Sequence, residues 1–312
     1  MTSTRLLKWT PLRRVRVVSE HNPSALVGLA ERCCSLAPQP HHQAVTLDGI
    51  EGTLKGGPVS LRRSLQLGVR RWLLGAPAPC EAESDHLIWM RKRLFRAAEP
   101  LGAVTIHRLG FPSSELLVTR RVRGALTLDD AVAAATPARR THLFAELGRE
   151  IGRMHALRFL HAELYPRNVL ATEPCNEPGP GFGRSLIWLG TAGGGPTAWR
   201  RGNLRRVEDD LGAWFSLAAD WMRTEDTDAL LLAYAASRRE NGRPVASLPG
   251  LVSSIQRSRR RALARFERCP RDLGGAAFPI AGWDPDVGRL LRLWRRGAAL
   301  AHPPVVSRPP VV

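Results

Sequence analysis

The hydrophobic pattern of this chain changes at Gly124, from short strand-like segments before it to long helical periods after it. That change limits the fold more than any other single feature. Ala44–Leu47 and Gly52–Lys55 read as two strands around Asp48-Gly49, a hairpin signal. Gly56-Gly57-Pro58 ends the second strand. Leu61 to Leu74 is basic, with Leu61, Leu65, Val69, Trp72 and Leu73 at helical spacing. A helix is predicted over Glu81–Ala98, where Leu87, Met90, Leu94 and Ala98 share a face. Glu83 and Asp85 sit near its start, where the helix dipole favours acids. Gly102–Val104 and Glu115–Thr119 read as strands, with 110–114 as the turn before the second.

Beyond Gly124, Thr127 can cap a short helix, and Pro137–Phe159 is a long helix with the stripe Leu143, Leu147, Ile151 and Met154. Residues 172–184 form a Pro/Gly loop. Further helices are predicted over Val207–Met222, Gly250–Arg268 and Asp286–Ala299. The class expected is α+β: a small β-rich N-terminal lobe at 45–122 and a larger helical lobe at 123–300. Residues 1–44 read as an irregular basic extension with one short helix, Ser24–Cys34, and 301–312 as an extended Pro-rich tail.

Charge narrows the partners. The 312 residues carry 46 basic and 28 acidic side chains, a net charge of +18. Lys8, Lys55 and Lys92 are the lysines, and the remaining basic residues are arginine. An acidic or neutral surface is excluded; nucleic acid, phosphate-bearing substrates and an anionic membrane face remain. Two Tyr and eight Phe, without an RRM-like aromatic pattern or zinc-finger spacing, argue against nucleic acid. No apolar run reaches the roughly 18–20 residues of a membrane span. The basic N-terminus lacks the apolar stretch of a secretory signal. The five cysteines form no C-x-x-C pair, so reduced thiols in a cytoplasmic protein are expected.

The chemistry-bearing segment is His161-Ala162-Glu163-Leu164-Tyr165-Pro166-Arg167-Asn168, followed by apolar Val169-Leu170-Ala171. It has the form H-x-[D/E]-x-x-x-x-N directly after a long helix. In kinase catalytic loops an acid at this position accepts the substrate hydroxyl proton, and the Asn five residues on holds Mg²⁺. A short loop can place a base near the attacking oxygen and an amide oxygen near the metal.

With its upstream helix end GRMHALRFLHAEL, this segment resembles the catalytic loop of the lipopolysaccharide kinase (Kdo/heptose kinase, WaaP-like) family, which has a two-lobed protein-kinase-like fold. Other parts follow in the family's order. Lys55 lies where its nucleotide-binding lysine is expected, and Glu83 resembles the partner glutamate of its E-x-x-x-L helix. Leu116–Thr119 resembles the strand leading to the hinge, Gly124–Asp130 the start of the helical lobe, and Glu208-Asp209-Asp210-Leu211 the later D-L helix start. The resemblance spans roughly residues 45–220 and implies transfer of phosphate from ATP, with Mg²⁺, to a sugar hydroxyl of a glycolipid. It implies a cytoplasmic chain in peripheral contact with the inner membrane surface. In it Lys55 holds phosphates, Glu83 orients Lys55, Glu163 is the base, Asn168 a metal ligand and His161 a loop scaffold. Arg200, Arg201, Arg205 and Arg206 fall where a substrate-side basic patch is expected.

Two departures mark this sequence. The catalytic acid, normally Asp, is Glu163, one methylene longer. The family's metal-binding Asp, expected in an I-D-[LF] context, is replaced in Leu186-Ile187-Trp188-Leu189-Gly190 by Trp188. Indole has one N–H donor and no lone pair for Mg²⁺. Glu173 and Glu177 are the nearest acids in the intervening loop. A catalytically inactive pseudokinase acting as a binding module is therefore the alternative, with a nucleic-acid-binding protein as a third reading.

Overall fold

The computed structural model describes residues 4–10, 13–19, 23–35, 43–174, 183–190, 193–196, 207–218, 221–268, 283 and 285–295. The chain divides into two compact units. The first comprises Met1–Ala125, Pro174–Gly183 and Ile187–Gly194, and the second Leu126–Glu173, Arg184–Leu186 and Gly195–Val312.

The first unit is built on a six-stranded sheet. In chain order its strands are β1 (Thr4–Thr10), β2 (Arg13–Val18), β3 (Gln43–Leu47), β4 (Ile50–Pro58), β5 (Pro100–Arg108) and β6 (Phe111–Arg120), and in space they run β1-β2-β5-β6-β4-β3. Every neighbouring pair is antiparallel. The β3–β4 hairpin forms at the expected place: Asp48 and Gly49 have φ of 50° and 78°, the two left-handed residues of a tight hairpin turn.

Three helices belong to this unit: α1 (Pro23–Ser35), α2 (Leu61–Leu74) and α3 (Pro79–Lys92). Leu26 and Ala30 of α1 join Val15, Val17, Leu54, Leu101, Val104 and Val118 in one apolar core. Residues 1–44 are thus not an irregular extension where they are described. Val15 and Val17 alternate inward along β2, and that period-2 pattern recruits the segment to the sheet edge.

Helix α3 stops at Lys92, short of the expected Ala98. Leu94 turns left-handed at φ 61°, and the Phe95 N–H reaches back to the Met90 carbonyl at 3.0 Å. Phe95 is then buried while Leu94, expected on the apolar face, is exposed. The β5–β6 turn is Leu109-Gly110, and Phe111 to Ser114 already pair as strand.

In the second unit, β7 (Leu126–Thr127) pairs antiparallel with β9 (Val169–Ala171). The strand β8 (Phe159–Leu160) pairs with β11 (Gly195–Pro196), while of β10 (Leu186–Trp188) only Leu186 belongs to this unit. The helices are α4 (Leu128–Ala134), α5 (Pro137–Ala156), α6 (Val207–Ala218), α7 (Thr224–Glu240), α8 (Leu248–Arg268) and α9 (Val287–Arg295). Thr127 precedes α4 as expected, but its hydroxyl donates to Asp130 at 2.6 Å and makes no cap bond. Helix α5 ends three residues before Phe159, which belongs to β8. Its tight partner is α7: a Cβ on Gly148 would lie 2.2 Å from the Leu230 carbonyl oxygen. Sequence periodicity misses α7 because residues 226–235 are all buried, leaving no polar stripe to contrast with an apolar one. The tail at 301–312 lies outside the described residues.

Candidate nucleotide-side pair and catalytic loop

In the first unit, Lys55 stands on β4 opposite Leu117 of β6. Its Nζ donates to both carboxylate oxygens of Glu83, each at 2.9 Å. Glu83 comes from the buried side of α3, with its side chain 6% exposed against 41% for Lys55. A fixed carboxylate behind a half-exposed ammonium leaves a positive head directed by geometry and not by chance rotamers. The expected pair is therefore brought together.

Gly190 closes on the same pair. A Cβ there would sit 2.4 Å from Glu83 Cγ and 2.8 Å from Oε1. Any side chain there would have to displace the glutamate. Two residues earlier, Trp188 is 0% exposed. Its backbone is fixed from both sides: Trp188 N–H donates to the Arg96 carbonyl and Ala98 N–H to the Trp188 carbonyl, both at 2.9 Å. The indole is core, so this position supplies apolar packing where an acid is expected.

An acidic corner occupies another part of α3 and the sheet. Glu81 accepts from the Thr105 hydroxyl at 3.0 Å and lies 3.1 Å from an Arg16 guanidinium nitrogen. Glu115 on β6 is nearly buried, and burial, with Glu81 nearby, pushes its carboxyl up to about 7 although Arg63 opposes the shift. Burial likewise pushes the Cys80 thiol up, so it is an inert core thiol.

In the second unit, the loop 161–168 hangs from Asp210, at the start of α6. The buried Asp210 carboxylate accepts the His161 N–H at 2.6 Å and the Ala162 N–H at 2.7 Å. His155 at the end of α5 completes the support: Nε2 is 3.2 Å from Asp210 and Nδ1 3.2 Å from the Tyr234 hydroxyl. The Asp210 carboxylate is thus met by a ring nitrogen of His155, whose other nitrogen is in hydrogen-bond reach of the Tyr234 hydroxyl. Ala162 has φ 65°, a left-handed conformation that costs roughly 1–2 kcal/mol in a residue with a Cβ. The two bonds to Asp210 hold that strained step.

Glu163 follows the strained residue and is partly exposed. Its carbonyl oxygen accepts from Asn168 Nδ2 at 2.8 Å across the single turn Pro166–Asn168. The amide nitrogen is thereby used internally, which leaves Oδ1 as the atom that could meet a cation. His161 is buried and donates its backbone N–H to Asp210. Asp210 appeared in the sequence as part of a helix start, but Tyr234 gave no signal at all. It lies far along the chain on the helix that periodicity missed.

The Trp188 indole has no lone pair for a cation, and among the described residues no group of three or more His, Cys, Asp or Glu could hold a metal. Glu173 is exposed on its loop, while Glu177 and the expected basic patch Arg200, Arg201, Arg205 and Arg206 lie outside the described residues.

The sequence profile of the lipopolysaccharide kinase (Kdo/WaaP) family matches residues 71–231, just over half of the chain. The chain belongs to that family. The α+β class expected for the family is the class observed, with the antiparallel sheet in the N-terminal part and the helices after it. No curated protein matches the sequence. Among solved structures, "WaaP in complex with acyl carrier protein" is 16% identical, covers 79% of this chain and 99% of its own, and has a TM-score of 0.46. "Glucosamine kinase (crystal form B)" is 12% identical, covers 87% of this chain and 90% of its own, and has a TM-score of 0.45. At that level of similarity nothing about substrate or partner follows from either. Among the described residues no helix is long and apolar enough to cross a membrane.

Proposed function

We propose that this family member binds a nucleotide such as ATP through Lys55 and Glu83 but has lost metal-dependent phosphoryl transfer, and so acts as a binding or regulatory module. The observation that carries this reading is Trp188: fully buried, fixed by backbone bonds on both sides, and standing where the family resemblance expects a metal-binding Asp. Lys55, held by Glu83, is the group that would meet nucleotide phosphates. The loop around Glu163 and Asn168 keeps its backbone frame, which supports descent from an active enzyme. Glu163 would still be able to accept a proton from a hydroxyl, but without an acid at 188 the phosphate charge has no second anionic ligand to recruit metal.

The test is thermal melting of the full chain with ATP at millimolar concentration, with and without Mg²⁺, beside an assay for ADP release with a lipopolysaccharide-type glycolipid acceptor. The expected result is a stabilisation by ATP that Mg²⁺ does not increase, loss of that shift in Lys55→Met, and no ADP release. Acceptor-dependent turnover abolished by Glu163→Gln would replace this reading with that of an active glycolipid kinase. Absence of any ATP shift would leave a family member that does not use the nucleotide.

A further inference from the structure

Helix α2 is built the wrong way round for a core helix. Leu61, Leu65, Val69, Trp72 and Leu73 recur at the spacing of one helix face, and all five are between 46% and 85% exposed. The face turned to the sheet carries Ser64 and Gly68, both buried. A Cβ on Gly68 would come within 2.3 Å of the Phe111 ring, so this small residue sets how closely the helix lies on β6. Arg71 NH1 is 3.0 Å from His107 Nε2, a second anchor on the same side. Gly75 ends the helix at φ 59°, with its N–H on the Arg71 carbonyl at 2.9 Å. The rotation of α2 about its axis is therefore fixed by inward contacts, and its apolar stripe is presented outward.

The charge on α2 decides what covers that stripe. Arg62, Arg63, Arg70 and Arg71 lie along Leu61–Leu74, which has no acidic residue, and the first three are exposed. An apolar face with a Trp, flanked by guanidinium groups, matches a surface that is apolar inside and anionic at its rim. A second copy of the chain offering the same face would set arginines against arginines. The chain's own C-terminal residues 296–312 contain no acid to meet them.

We propose that α2 docks this protein on an anionic phospholipid bilayer. Trp72, Leu65, Leu61 and Leu73 enter the headgroup–acyl boundary, and Arg62, Arg63 and Arg70 contact lipid phosphates. The insertion depth of such helices is about 5–10 Å. The inference stands on α2 alone, so failure of the nucleotide reading leaves it intact, and the reverse holds.

The experiment is sedimentation of the full chain with vesicles of phosphatidylcholine, or of phosphatidylcholine with about 30% phosphatidylglycerol, near physiological salt. Binding to the anionic vesicles is expected to fall at least about tenfold in Trp72→Ser/Leu73→Ser, which keeps the net charge. A similar loss is expected in Arg62→Gln/Arg70→Gln. Both variants should melt like the parent, because the substituted side chains are exposed. Equal binding by Trp72→Ser/Leu73→Ser and the parent would overturn the proposal, since net charge alone would then hold the protein to the vesicle. So would a parent that elutes as a dimer and a Trp72→Ser/Leu73→Ser variant that elutes as a monomer, because the stripe would then belong to a second copy.

Discussion

The loop at 161–168 and the segment at 186–190 are the two places where the family resemblance expects acidic chemistry, and they differ in what occupies them. In the loop, Asp210 holds the His161 and Ala162 backbone, and a carboxylate follows at Glu163, one methylene longer than the expected Asp. In the segment, an apolar side chain stands where the resemblance expects an acid. Trp188 keeps its two strand-like hydrogen bonds and fills core. The difference teaches that a backbone position can be held by core packing alone, whatever chemistry its side chain carries, because burial stabilises it independently.

The sharpest way to break this comparison is Trp188→Ala. Removing a fully buried indole should cost about 3–5 kcal/mol, read from the shift of a urea midpoint. A loss below about 1 kcal/mol would show that the ring is not core. Asp210→Ala addresses the other side. It strands two backbone N–H groups and a His155 ring nitrogen, for a cost of about 3 kcal/mol or more. Asp210→Asn, which keeps an acceptor oxygen, should recover part of it, and equal losses in the two variants would contradict the scaffold role.

The acidic corner extends the contrast, because Glu115 lacks the dedicated donors that Asp210 has. Its carboxyl is raised from 4.5 to about 7 in the folded chain, chiefly by burial. The folded state thus binds a proton that the unfolded state has already released. This stabilisation is complete below about pH 4.5 and is lost as pH rises through about 7, with a total of up to about 3 kcal/mol. Denaturation midpoints measured from pH 5 to 8 should fall with pH in the parent and fall less in Glu115→Gln. Matching slopes would assign the effect to other groups.

Gly190→Ala should have the smallest effect, about 2 kcal/mol from overpacking. The new methyl would press on Glu83 and separate it from Lys55. If nucleotide binding depends on that pair, the ATP-induced melting shift should shrink in this variant, and an undiminished shift would uncouple the two.

Much of this was legible along the chain. The hairpin at Asp48-Gly49 was visible because tight turns need left-handed residues, and α5 because Leu143, Leu147, Ile151 and Met154 repeat at helical spacing. The pairing of Lys55 with Glu83 was named only through the family resemblance, since nothing local links residues 28 positions apart. The strands within residues 1–44 are not legible locally, because β2 becomes recognisable only beside its partner β5, and β1 only beside β2. The five apolar residues of α2 recur at helical spacing in the sequence, but periodicity cannot say whether the face they form points inward or outward.

By itself, the sequence determined where strands give way to helices, the H-x-E-x-x-x-x-N loop, and a tryptophan at 188, because all three are local patterns or identities. The tertiary structure decided that Trp188 is core, that Asp210, His155 and Tyr234 form one support, and that α2 turns its apolar face outward. Each of those depends on which surfaces meet, and that is set by packing between segments far apart in the chain.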